Sequence, residues 1–136
     1  MVVTEEYRPS EDEPYMNERQ LAYFRRKLLE WREELLEQSK KTLSSLREEK
    51  DNEVEYVDKG SKEYDLTFEL RTRDRYRKLI KKIDDALQRI EEGEYGYCEE
   101  TGEEIGIKRL EARPIATLSI KAQERHERME KSMEGR

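Results

Sequence analysis

Cys98, Thr101, Ser119 and Ala122 stand at the spacing of a four-ligand zinc ribbon: two residues separate Cys98 from Thr101, seventeen lie between Thr101 and Ser119, and two more precede Ala122. Structural zinc asks for four thiolate or imidazole donors in a tetrahedron. This set offers one thiolate, two hydroxyls that bind zinc poorly and a methyl group. The layout of a metal knuckle is therefore present without its chemistry, and no zinc is expected. His126, one turn past Ala122, still leaves the set two ligands short. Packing by Leu118 and Ala122 and hydrogen bonds from the Thr101 and Ser119 hydroxyls must hold the shape instead. Cys98 has no second thiol to resolve a sulfenic acid or form a disulfide, so it is expected to serve as a small buried residue.

Two other groups could carry chemistry. Lys78, Lys81 and Lys82, with Lys108, Arg109 and Arg113 further on, form a set of cations suited to charge-assisted bonds with a dense anion such as a phosphate. Glu55 and Asp58 are a pair of carboxylates in a short polar stretch beside Lys59 and Gly60. Taken alone, that stretch also fits a solvated turn in which Asp58 caps a helix and Gly60 supplies a permissive backbone. One histidine, one cysteine and no phosphate-cradling loop leave little for an active site, and an enzyme is not expected.

The elements that must position these groups are mostly helical. From Asn17, a fitting N-cap, apolar residues recur as Leu21, Phe24, Leu28, Trp31 and Leu35, the three-four spacing of a coiled-coil seam, with Leu43 and Leu46 beyond and an end near Asp51 and Asn52. A second stripe starts around Ser61 to Asp65 and runs through Leu66, Leu70, Leu79 or Ile80, Ile83, Leu87 and Ile90 to a stop at Gly93. Two such stripes predict an antiparallel helical hairpin over 15–92, its tip about 51–62, and an arm of about thirty residues reaches on the order of 45 Å. The seam weakens where Gln38, Ser39, Thr42, Ser44 and Ser45 fall. Residues 1–14 show no period and are expected to form a mobile or loosely docked arm. The stretch 93–136 predicts two short strands around the knuckle, a turn over Arg109 to Pro114, and a closing helix from Pro114 through Glu134 with Leu118, Ala122 and Met129 facing inward. The fold class is thus mainly α, a long coiled-coil hairpin plus a small globular part with a degenerate zinc-ribbon-like knuckle and a C-terminal helix.

Composition agrees with that outline. In 136 residues, 33% are hydrophobic and 46% charged, too few apolar groups for one thick core along the whole length, so an elongated chain is expected. The net charge of −6 argues against neutralising many DNA phosphates, so direct DNA binding is not expected. No basic-then-apolar leader and no long apolar span is seen, and a single cysteine excludes an internal disulfide, which together predict a cytoplasmic protein away from membranes. The hairpin can satisfy its own seam, so a monomer is the simpler expectation.

The run Phe68 to Ile83, FELRTRDRYRKLIKKI, resembles the second coiled-coil helix of the DksA/TraR family. Tyr97-Cys98-Glu99 and Gly106 to Pro114, GIKRLEARP, resemble its zinc-finger segment, and Tyr15 to Glu18, Gln20 to Ala22 and Trp31 resemble the start of its first helix. These matches follow in order from about residue 14 to 130. The resemblance implies a bacterial regulator that binds RNA polymerase, core or holoenzyme, at the rim and through the secondary channel. Such a regulator modulates initiation at ribosomal RNA and other stringent-response promoters together with ppGpp. It also sets Glu55, Asp58 and Gly60 on the family's Asp-x-x-Asp-x-Ala tip motif, with Lys59 beside them, as the effector end. Lys82, Arg113 and Leu79 match residues that form a ppGpp site, where Gln123 replaces a basic residue and removes one phosphate contact.

Two other readings fit parts of the sequence. Glu55 and Asp58 could hold magnesium at the tip of a Gre-like transcript-cleavage factor, although the knuckle and the Arg109 to Pro114 run match the DksA relatives instead. A plain coiled-coil adaptor for another protein fits composition and periodicity equally well.

Overall fold

In the computed structural model the backbone is described for residues 3–51 and 59–134, and side chains for 3–44 and 66–133. Four helices follow one another: α1 (Glu18–Asp51), α2 (Lys59–Glu92), α3 (Ile107–Ala112) and α4 (Ile120–Glu134). The first two are the hairpin, each 34 residues long.

Local sequence explains their ends. The Asn17 carboxamide oxygen accepts from the Gln20 amide at 2.9 Å, the bond an N-cap makes to the third helical residue, and Glu18 adds a negative charge to the positive end of α1. Gln20 is fully buried and completely used: its side-chain oxygen accepts from the Met16 amide at 2.8 Å and its amide group donates to the Ser10 carbonyl at 3.1 Å. α2 stops because Gly93 adopts φ 76°, which turns the chain so that the Glu94 and Tyr95 amides reach back to the Arg89 carbonyl at 2.9 and 3.2 Å. The start of α2 corrects the sequence reading by two residues, since Lys59 and Gly60 already belong to the helix.

The chain divides into two compact units, Met1–Leu28 with Asp85–Arg136, and Leu29–Asp84. In the helical unit, Leu35 and Ile83 are buried, while Leu66 and Leu70, expected to face inward, are 43% and 47% exposed. Arg32 and Asp84 join the two helices, with Nε and Oδ1 at 2.7 Å.

In the globular unit Phe24, Leu28 and Leu110 are fully buried, and Tyr95, Ile105, Ile107, Cys98 and Ala122 complete the core. Residues 3–14, expected as a mobile or loosely docked arm, are docked here. Val3 and Tyr7 are buried, the Tyr7 hydroxyl donates to the Glu13 carboxylate at 2.8 Å, and the Arg19 guanidinium lies 4.0 Å from the centre of the Tyr7 ring. Burial and then the Glu13 bond push the Tyr7 phenol up to about 12. The closing helix is shorter than expected, and Met129 is 60% exposed instead of inward. Arg109 to Ala112, the first four residues of the segment expected as a turn, coil with Ile107 and Lys108 into α3. The expected pair of strands is reduced, among the described residues, to one antiparallel bridge between Tyr97 and Glu104.

Candidate functional site

The knuckle is closed by main-chain bonds. Cys98 N–H donates to Glu103 O at 2.7 Å, Gly102 N–H to Cys98 O at 2.9 Å, and Ile105 N–H to Gly96 O at 2.8 Å. Two side chains from outside lock it. Tyr15 places its hydroxyl between the two sides of the knuckle, donating to Gly96 O at 2.6 Å and accepting from Gly106 N–H at 2.9 Å. Arg89, at the end of α2, donates to Glu94 O and Tyr97 O at 3.2 and 2.7 Å and pairs with Glu99 at 3.7 Å. Gly96 has φ 91°, and a Cβ there would come within 2.7 Å of the Met16 side chain, so only glycine fits beside this anchor.

The four ribbon positions have each taken another task. Ala122 is fully buried, and its amide donates to the Ser119 hydroxyl at 3.2 Å, which makes Ser119 the N-cap of α4. The Thr101 hydroxyl accepts from Glu103 N–H at 3.2 Å. Cys98 is buried, which pushes its thiol up, but hydrogen bonds from the Thr101 side chain and from the Ser119, Thr101 and Glu100 backbone outweigh this and bring it down to about 6. The sulfur thus sits in a nest of donors of the kind that stabilises a thiolate. His126 pairs with Glu100, which raises its affinity for a proton, first through the hydrogen bond and then through the charge. This donor set does not fit a zinc ion: one thiolate is already surrounded by N–H and O–H donors, two hydroxyls are engaged, and the fourth position is a buried methyl. Among the described residues no group of three or more His, Cys, Asp and Glu lies close enough to hold a metal ion.

Sequence inspection did not single out the contacts behind Arg113. Lys27 on α1 donates to the Glu111 carbonyl at 2.9 Å and to its carboxylate at 2.7 Å. Tyr23 also bonds Glu111, and burial followed by that bond pushes its phenol up to about 12. The Arg113 amide donates to Arg109 O at 2.7 Å, and the Tyr95 hydroxyl to Pro114 O at 2.8 Å. The Arg109 guanidinium, one of the cations of the expected basic set, is spent on the Leu118 carbonyl at 3.0 Å. Arg113 itself is exposed.

The expected sites divide between the two units. Leu79, half-buried, and Lys82, exposed, lie on α2 in the helical unit; Arg113 and Gln123 belong to the globular unit, with the Gln123 side chain reaching Glu127 at 3.3 Å. Lys78 pairs with Asp74 at 3.1 Å, whereas among the described residues neither Lys82 nor Arg113 makes an ion pair. Glu55 and Asp58 lie outside the described residues, as does the Lys59 side chain, while Gly60 is described only as part of the α2 backbone. No helix of the described residues is long and apolar enough to cross a membrane.

Fold and site together define a helical hairpin protein with a zinc-finger-type knuckle that has lost its donors. Residues 20–90 match the family model of the DnaK suppressor protein DksA, N-terminal domain, and residues 93–128 that of the prokaryotic dksA/traR C4-type zinc finger. The chain belongs to the DksA family. It is 61% identical over 131 residues to the RNA polymerase-binding transcription factor DksA of Caulobacter vibrioides, covering 96% of this chain and 92% of that one. The protein of the same name from Escherichia coli K12 is 47% identical over 96% of this chain and 87% of its own. The solved structure of transcription factor DksA2 from Pseudomonas aeruginosa superposes with a TM-score of 0.80 at 43% identity, covering 86% of this chain and 90% of that one.

Proposed function

We propose that this chain binds RNA polymerase and modulates transcription initiation, the hairpin entering the secondary channel and the globular part resting at the rim. The observation that carries the reading is the 61% identity, over nearly the whole of both chains, to a relative named as an RNA polymerase-binding transcription factor. The regulator has no catalysis of its own and acts in the cytoplasm, where its partner works. Its net charge of −6 fits a protein that addresses the enzyme and not the template.

Asp58, with Glu55, Lys59 and Gly60, is the effector end of the hairpin, competing for hydrogen bonds of mobile elements near the polymerase active centre. Lys82 and Arg113 are ppGpp phosphate ligands at the polymerase interface, with Leu79 beside them. Support comes from their exposure and from the absence of ion-pair partners for either cation among the described residues. Gln123 supplies no charge there, so the response to ppGpp is retained but weaker than with a cation at that position. The knuckle holds its shape without zinc, as its donor chemistry requires. The protein works as a monomer.

Co-purification with core RNA polymerase tests the reading. Retention that is competed by another secondary-channel factor supports it, and failure to associate with the core enzyme overturns it. Cleavage of backtracked transcripts by the pure protein would point to a Gre-like factor instead.

A further inference from the structure

Arg113 carries its guanidinium on a backbone held from both sides. Upstream, Lys27 satisfies the Glu111 carbonyl at 2.9 Å and the Glu111 carboxylate at 2.7 Å. Glu111 is in the last turn of α3, where carbonyls lack helical partners and the helix dipole favours a cation. Downstream, the buried Tyr95 hydroxyl donates to Pro114 O at 2.8 Å. Between these two points Arg113 adds two main-chain bonds, its N–H to Arg109 O at 2.7 Å and its carbonyl accepting from Ala116 N–H at 3.0 Å. α3 is only six residues long and its N-cap, Gly106, makes no side-chain capping bond, so it cannot hold its own end in place by helical cooperativity. Lys27 in turn sits on α1 three residues from the fully buried Phe24, on a part of the helix that cannot shift without disturbing the core.

We infer that Lys27 is a positioning residue for Arg113: through Glu111 it closes the C-terminal end of α3 and, with Tyr95 on Pro114, fixes the three-residue stretch from which the arginine projects. The inference rests on the reading of Arg113 as a phosphate ligand given above. It gives a reason for both hydrogen bonds of the Lys27 ammonium to fall on one residue, main chain and carboxylate together, while the ammonium also lies 6.0 Å from the centre of the Tyr23 ring. Loss of the tether costs little in folding because Lys27 and Glu111 are each about one-third exposed, at 35% and 31% of the side chain. The loss is felt where a charged group must meet a phosphate in fixed geometry.

The test uses the full chain with Lys27→Met and, separately, Tyr95→Phe, each also combined with Arg113→Ala. Polymerase affinity without ppGpp should stay within about twofold of the parent, while the increment added by ppGpp falls by up to about tenfold, the size of one charge-assisted bond. In the Arg113→Ala background neither substitution should lower that increment further, because nothing remains to be positioned. Amide exchange at Arg113, read by NMR in the free protein, should quicken in both variants. Unchanged exchange at Arg113 in both variants overturns the positioning role by itself. A further loss of the increment in the Arg113→Ala background also overturns it, since Lys27 would then act by another route. If Arg113→Ala alone keeps the full ppGpp increment, the phosphate-ligand reading falls, and the functional half of this inference falls with it.

Discussion

The knuckle and the outer part of α2 solve opposite problems. The knuckle surrounds Cys98, Ala122 and Ile105 with almost no solvent exposure and spends Tyr15, Arg89, Thr101 and Ser119 on its own backbone. The outer part of α2 leaves Leu66, Phe68 and Leu70 at 43%, 63% and 47% exposure and carries Lys82 without an ion pair among the described residues. Where a metal would have supplied cross-links in the knuckle, many small directional bonds stand in its place, whereas this stretch of α2 keeps several large apolar side chains in solvent. The difference separates a densely bonded stretch of sequence from one that leaves apolar side chains exposed.

The sharpest way to break that contrast is functional. Asp58→Asn should abolish the effect on transcription while polymerase affinity stays within about twofold, since losing one charge among many changes association little; equal loss of both in a binding and run-off assay removes Asp58 from the effector role. Next in size is core truncation. Phe24→Ala should cost about 3–5 kcal/mol of unfolding free energy and Leu70→Ala less than about 1 kcal/mol, because one side chain is fully buried and the other half-exposed. Urea titration gives both, and equal costs would mean that α2 is covered where the structure shows it bare. Tyr15→Phe should cost about 1–3 kcal/mol, since it leaves the Gly106 amide without its partner and the Gly96 carbonyl with the Ile105 amide alone.

Titration gives a finer comparison within the knuckle itself. The Cys98 thiol falls from an ordinary 9.0 to about 6 on folding, so its contribution is complete above pH 9 and is lost as pH drops toward 6. Stability of the parent should therefore rise between pH 6 and 9, with a slope of up to about 1.4 kcal/mol per pH unit from this group. Cys98→Ala should flatten that slope. His126 works in the other sense: its folded pKa is raised, so its contribution is present below its ordinary 6.5 and is lost as pH rises through the folded value. His126→Asn should steepen the rise that Cys98→Ala flattens, and melts at several pH values separate the two. The smallest expected effect is that of a chelator, which should leave the melting temperature unchanged; equimolar zinc by elemental analysis, lost together with the fold, would refute the donor argument.

How much of this could be read from the chain follows from what carries a signal. The two long helices announce themselves because Leu21, Phe24, Leu28 and Leu35 repeat at the helical period and because Asn17 and Gly93 mark ends with recognisable side-chain and backbone chemistry. The lost donor set was equally plain, since ligand chemistry depends on residue type and spacing alone. The docked arm was not legible. Val3, Tyr7 and Met16 have no period, and their burial is decided by surfaces from elsewhere in the chain; two tyrosines in an otherwise acidic stretch were the available hint. α3 was missed because six residues hold fewer than two turns and show no stripe. Leu66 and Leu70 kept the right spacing, but exposure depends on what the opposite helix offers. Lys27 on Glu111 joins residues 84 apart in sequence, which no local pattern reveals.

The Tyr15 hydroxyl bonds Gly96 and Gly106, partners 81 and 91 residues downstream. A chain emerging from the ribosome therefore exposes the Tyr15 hydroxyl long before these partners exist to receive it. Closing so wide a loop is slow compared with coiling a helix, so the globular unit is expected to mature last although Tyr15 is made before either long helix. Tyr15 waits for partners made 81 and 91 residues later, and a ribosome stalled anywhere before residue 106 leaves it without the second of them.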